Sequence, residues 1–128
     1  MAKRHDLLFE TDQFNLSQPK DYFINECCYG DDAAAWLRVK LAEKGIEATE
    51  PGQEDWGWYL DVRHDGNAYF VGVGASPEDR EWRLMVEKHR SIKDRLTGKN
   101  QMMDNEGIVA LLKRIIEDEP EMKFLRIE

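Results

Sequence analysis

The stretch WGWYLDVRHDGNAYFVGV, residues 56–73, decides the fold. Two runs rich in aromatic and β-branched residues flank Asp65-Gly66. Such residues favour strands, and Asp-Gly between them is a strong signal for a two-residue type I′ hairpin turn. That turn sets the register. Trp58 is predicted to face Val73, Leu60 to face Val71 and Val62 to face Tyr69, all on a core side. The other side carries Tyr59 opposite Gly72, Asp61 opposite Phe70 and Gly57 opposite Gly74.

Downstream, Ala75 to Glu81 reads as a loop around Pro77. Glu81 to Lys88 alternates Trp82, Leu84 and Val86 with Arg83, Met85 and Glu87, a half-buried strand. Residues 89–103 are polar and are expected to form a long loop. A helix capped by Asp104 or Asn105 runs to about Asp118, with Ile108, Leu111, Leu112, Ile115 and Ile116 on its apolar side. Met122 to Ile127 is apolar on both faces, which predicts a strand well inside the sheet.

Upstream, Ile46 to Thr49 reads as a short strand closed by Pro51-Gly52. Ala33 to Lys44 is a helix, with Asp31 and Asp32 suited to its cap and first turn and Gly45 to its stop. Ala34, Leu37 and Leu41 share one helix face, while Trp36 lies about 100° from Leu37. Trp36 either packs under the N-terminal segment or is presented for binding. Asp21 to Cys28 reads as a strand, and Leu7 to Phe9 as the start of one. The first 20 residues are weakly patterned, so a loosely packed N-terminal segment is expected. The sum is one α+β domain over residues 1–128: a mostly antiparallel sheet with two helices on one face, a two-layer sandwich.

Lys and Arg number 18 against 26 Asp and Glu, a net charge of −8. Such a balance disfavours general nucleic-acid binding. The acidity is uneven. Residues 88–99 carry five cations against Asp94 alone, a net of +4, so the remainder carries −12. Lys88, Arg90, Lys93 and Arg95 are candidate anion ligands, or else cations that pair with the protein's own acids. No signal-peptide core and no run near the roughly 20 apolar residues of a membrane span is visible, so a cytoplasmic location is expected. Cys27 and Cys28 are adjacent, which reads as two reduced thiols, or alternatively a redox pair or soft-metal site.

No P-loop, G-x-S-x-G or H-E-x-x-H spacing occurs, and Gly72-Val73-Gly74 does not lead into a helix. No catalytic residue, metal site or cofactor is therefore predicted. The expected function is that of a non-enzymatic acidic module that binds a basic protein partner. Candidate binding residues are Trp36, Glu54, Asp55, Trp56, Tyr59, Asp61, Phe70 and Met85. Trp56 and Trp58 are two apart and are expected to share a face. Tyr59, Phe70 and Met85 point away from the helices, where they form an interface or lie under the N-terminal segment. The alternative is a small metal-dependent hydrolase or small-molecule binder with a cleft of Glu54, Asp55, Asp61 and His64.

The series Gly30-Asp31-Asp32, Trp36-Leu37 and Gln53-Glu54-Asp55-Trp56-Gly57-Trp58 resembles a pattern in small bacterial single-domain proteins of unknown function. The likeness covers roughly residues 22–127 and implies no activity. Size and acidity also resemble those of toxin-immunity proteins, which implies a protein partner.

Overall fold

A computed structural model describes residues 4–14, 30–76, 81–103 and 106–128. In chain order the elements are β1 (Arg4–Thr11), α1 (Asp31–Glu43), β2 (Gly52–Glu54), β3 (Gly57–His64) and β4 (Asn67–Ser76). Then come β5 (Glu81–Lys88), α2 (Ile92–Thr97), α3 (Gly107–Glu117) and β6 (Met122–Ile127). The six strands form one antiparallel sheet in the order β2-β3-β4-β5-β1-β6. This is an α+β fold with sheet and helices in two layers.

The β3–β4 hairpin has the predicted register, with Trp58 on Val73, Leu60 on Val71 and Val62 on Tyr69. Asp65 and Gly66 have φ of 52° and 77°, as a type I′ turn requires. Leu60, Val62, Tyr69, Val71 and Val73 are buried on one side, together with Trp82, Leu84 and Val86 of β5. α1 closes over β3, and α3 over β1 and β6. Leu37 and Leu41 of α1 and Ile108, Leu112, Ile115 and Ile116 of α3 join these strands in one hydrophobic cluster. Val109 is buried too, while Leu111 only packs against the cluster's margin.

Several expectations need correction. Arg4–Thr11 is an inner strand between β5 and β6, so this part of the N-terminus is not loosely packed. Leu7, Leu8 and Phe9 are fully buried or nearly so. The apolar β6 is instead an edge strand, half covered by α3, with Lys113 over the Phe124 ring at 5.3 Å. Ile46–Thr49 forms only the single bridge Ala48–Val62, and the edge strand beside β3 is Gly52–Glu54. The long loop after β5 contains α2. Gly30 rather than an aspartate caps α1; Asp31 and Asp32 occupy its first turn, where Asp32 Oδ1 accepts from the Ala33 N–H at 2.9 Å. Glu106 holds the cap position of α3, with no side-chain cap bond. The predicted strand Asp21–Cys28, both cysteines and the proposed cap residues Asp104 and Asn105 lie outside the described residues.

Candidate interaction surface

The sheet face away from α1 and α3 is built on glycine. Gly57 is buried in β3, where a Cβ would meet the Val73 carbonyl oxygen at 2.6 Å. Gly72 leaves room for a ring: a Cβ there would lie 2.7 Å from Trp56 Cη2. A Cβ on Gly52 would collide with the phenol end of Tyr59, 2.4 Å from Cζ and 2.6 Å from the hydroxyl oxygen. Glycine in a strand interior permits such close approach, and here aromatic rings take the space.

The rings form one cluster. Tyr59 stacks on Phe70 with centroids 5.2 Å apart, and Trp56 meets Phe70 edge-on at 6.1 Å. Met85 extends it toward Gly72 and Gly74. Tyr59, Phe70 and Met85 are half-buried, and Trp56 is 40% exposed. Between Trp56, Gly74, Ala75, Glu81, Arg83 and Met85 lies a pocket of about 220 Å³. Asp55 and Trp56 form the tight turn between β2 and β3. Because Trp56 is a turn residue, strand parity does not tie it to Trp58. Trp58 enters the core at 7% exposure while Trp56 folds over the outer face. The expected shared face of these two tryptophans is therefore corrected.

Charge surrounds the rings unequally. Glu54 and Asp55 are exposed at the turn beside Trp56, and Glu87 stands opposite Phe70. Asp61 Oδ1 lies 3.0 Å from His89 Nε2. Next to this acidic end, the face over β5, β1 and β6 is knitted by ion pairs. Asp6, only 5% exposed, is held by Arg4 at 2.9 Å and by Arg83. Arg83 also reaches Glu128 at 3.3 Å, and Arg126 bridges Glu128 and Glu81. A hydrogen bond from Arg126 keeps the Glu128 carboxyl below its ordinary pKa. Arg4, Arg83 and Arg126 on this half of the face are thus already engaged.

The other expected site residues are dispersed. Trp36 lies on the helix layer, against Phe14 at 5.6 Å and at the core's margin, so it does not join Tyr59 and Phe70. Glu54 and Asp55 sit at one end of β3 and His64 at the other, beside Gly107 of α3. At about 3.3 Å per residue, roughly 25 Å separates them. The acidic cleft of Glu54, Asp55, Asp61 and His64 is therefore not assembled. Among the described residues no three His, Cys, Asp or Glu side chains come together as a metal site.

The basic segment is likewise divided. Lys88 Nζ is 3.0 Å from Glu106 Oε1, with side chains 7% and 10% exposed. Tyr69 O–H donates to Glu106 Oε2 at 2.8 Å, and the Met103 N–H donates to Oε1 at 3.2 Å. Burial would raise the Glu106 pKa, but hydrogen bonds from Lys88 and Tyr69 outweigh it and the net shift is downward. Burial and then the Glu106 bond push the Tyr69 hydroxyl up. Arg90 donates to the carbonyls of Asp94 and Lys99. Lys88 and Arg90 are thus structural, while Lys93 and Arg95 are exposed on α2. Sequence reasoning missed Ile92 and Leu96 on that helix, 78% and 83% exposed. Their i,i+4 spacing between Ser91 and Gly98 is the signal that was available.

No helix of the described residues is long and apolar enough to cross a membrane. Comparisons with protein-family models, curated proteins and solved structures find no match for this chain.

Proposed function

We propose that this chain is a non-enzymatic binding module, acting in the manner of an immunity or adaptor protein. Its outer sheet face receives a basic, partly apolar segment of a protein partner. One observation carries the reading: Trp56, Tyr59, Phe70 and Met85 form a continuous, half-exposed cluster on the face the helices leave open. Desolvating aromatic side chains supplies affinity, and the acids Glu54, Asp55 and Glu87 beside them favour and speed encounter with a cation-bearing partner. The small pocket beside Trp56 suits one inserted side chain.

The test compares the proteins captured by the parent with those captured by two variants. One is Tyr59→Ala with Phe70→Ala; the other is Glu54→Lys with Asp55→Lys. Both are first confirmed folded by thermal melting. Captured partners are expected to be lost by the first and weakened by the second, and parental binding should fall with added salt. If the first variant retains every partner, this face is not the binding surface.

A further inference from the structure

The helix α2 has no buried residue, yet it is fixed at both ends by local bonds. Ser91 Oγ accepts from the Asp94 N–H at 3.0 Å, and Gly98 closes the helix in the left-handed conformation with φ of 71°. Arg90 clasps the Asp94 and Lys99 carbonyls at 2.9 and 2.8 Å. An isolated six-residue helix is unfavourable in water, so these caps hold a shape that the core does not require. That shape presents Ile92 and Leu96 side by side, with Lys93, Arg95 and Lys99 exposed around them. Among the described residues none of these three cations forms an ion pair. Arg4, Lys40, Arg83, Lys88, Lys113 and Arg126 have carboxylate partners, while Arg38, Lys44, Arg63, Arg114 and Lys123 likewise form no ion pair among the described residues. What distinguishes α2 is that its cations flank two exposed aliphatic side chains.

We infer that a second copy of this chain is a partner of the aromatic face, docking through α2. The inference rests on the binding role proposed for that face. The two surfaces are complementary in both respects that matter. One is an aromatic cluster with acids at its edge; the other is a pair of aliphatic side chains with cations at its edge. Residues 91–99 carry Lys93, Arg95 and Lys99 against Asp94, a net of +2 on a chain of net −8, and Lys88 adds nothing to the lobe because Glu106 neutralises it. Like net charge on two copies opposes association in general, so the favourable approach is the one that sets the basic lobe on the acidic body. The two patches differ, so the contact is heterologous and each copy offers one of each.

Sedimentation of the parent over a rising concentration series, at low and at moderate salt, tests this. Mass is expected to increase with concentration, and the increase to shrink in salt. Ile92→Ser with Leu96→Ser removes the lobe's apolar pair without touching the core, and Tyr59→Ala with Phe70→Ala removes the face. Each variant alone is expected to stay monomeric. Mixed, they are expected to form a one-to-one complex, because one copy keeps its lobe and the other its face. Glu54→Lys serves as a second face variant should the double alanine lose its fold. A parent that stays monomeric throughout overturns the inference, as does a mixture no heavier than its components. Binding of the monomeric parent to vesicles of anionic and zwitterionic lipid, lost with Ile92→Ser and Leu96→Ser, also overturns it. If the parent is monomeric but the face variant still loses partners captured by the parent, the role of the face stands and only the self-docking fails.

Discussion

Glu106→Gln is expected to be among the most damaging single substitutions in this molecule. Glu106 accepts from Lys88, Tyr69 and the Met103 N–H, and the Lys88 and Glu106 side chains are 7% and 10% exposed. Glutamine keeps the shape and removes the charge. Lys88 then remains buried as an uncompensated cation, and the glutamine amide meets donors where the carboxylate met them as an acceptor. Breaking one side of a buried pair costs about 3–5 kcal/mol, a large part of the roughly 5–15 kcal/mol that holds a domain together. The pH dependence gives an independent check. The Glu106 pKa is lowered in the folded state, so its contribution is fully present above the ordinary carboxylate value of 4.5 and is lost as pH falls through the folded value. Urea unfolding of parent and variant, followed by circular dichroism at pH 7 and at a descending series of pH values below 4.5, should show a wide gap that narrows as the pH falls. Replacing the trio together (Lys88→Met, Tyr69→Phe, Glu106→Leu) should cost much less than Glu106→Gln, because no buried charge is stranded and the Met103 N–H, which loses its acceptor, is exposed to water. A Glu106→Gln variant within about 1 kcal/mol of the parent at pH 7, or a gap that does not narrow anywhere in the acid series, would refute the reasoning.

Gly57→Ala places a methyl 2.6 Å from the Val73 carbonyl oxygen, a backbone atom that cannot step aside; it should cost about 1–3 kcal/mol, read as a lower melting temperature. Gly72→Ala meets only the mobile ends of Trp56 and Met85, so stability should change by no more than about 1 kcal/mol. The Trp56 ring must shift, however, so tryptophan emission and partner binding should both change. Arg90→Ala removes the clasp on the Asp94 and Lys99 carbonyls; hydrogen exchange should lose protection over α2 while the global melting temperature moves little.

The β3–β4 hairpin was legible from sequence because its information is local. Asp65-Gly66 selects one turn, the turn selects one register, and strand parity then assigns Tyr59 and Phe70 to the face opposite Leu60 and Val71. The buried faces of α1 and β5 followed in the same way from periodicity. Trp56 escaped because parity applies only within a strand, and the chain reverses at Asp55-Trp56. α2 escaped because six residues with two aliphatics produce no stripe that periodicity can detect.

Strand order was a matter for the tertiary structure alone. Arg4–Thr11 looked weak because Asp6 and Glu10 interrupt its apolar run, yet it takes an inner place. Asp6 is buried there only because Arg4, its neighbour two residues away, and Arg83, 77 residues away in sequence, neutralise it. β6 looked interior and is an edge, because covering by α3 substitutes for a second strand. The same long-range pairing decides which charges are spent. Lys88, Arg83 and Lys93 are equivalent as letters, but a buried partner across the fold ties down the first two. By itself, then, the sequence determined the elements, the hairpin register and the uneven spread of charge, since each depends on neighbours a few residues apart. Only the folded chain decided which apolar groups stay exposed and which charges stay without an ion pair, since that depends on contacts between residues far apart in sequence.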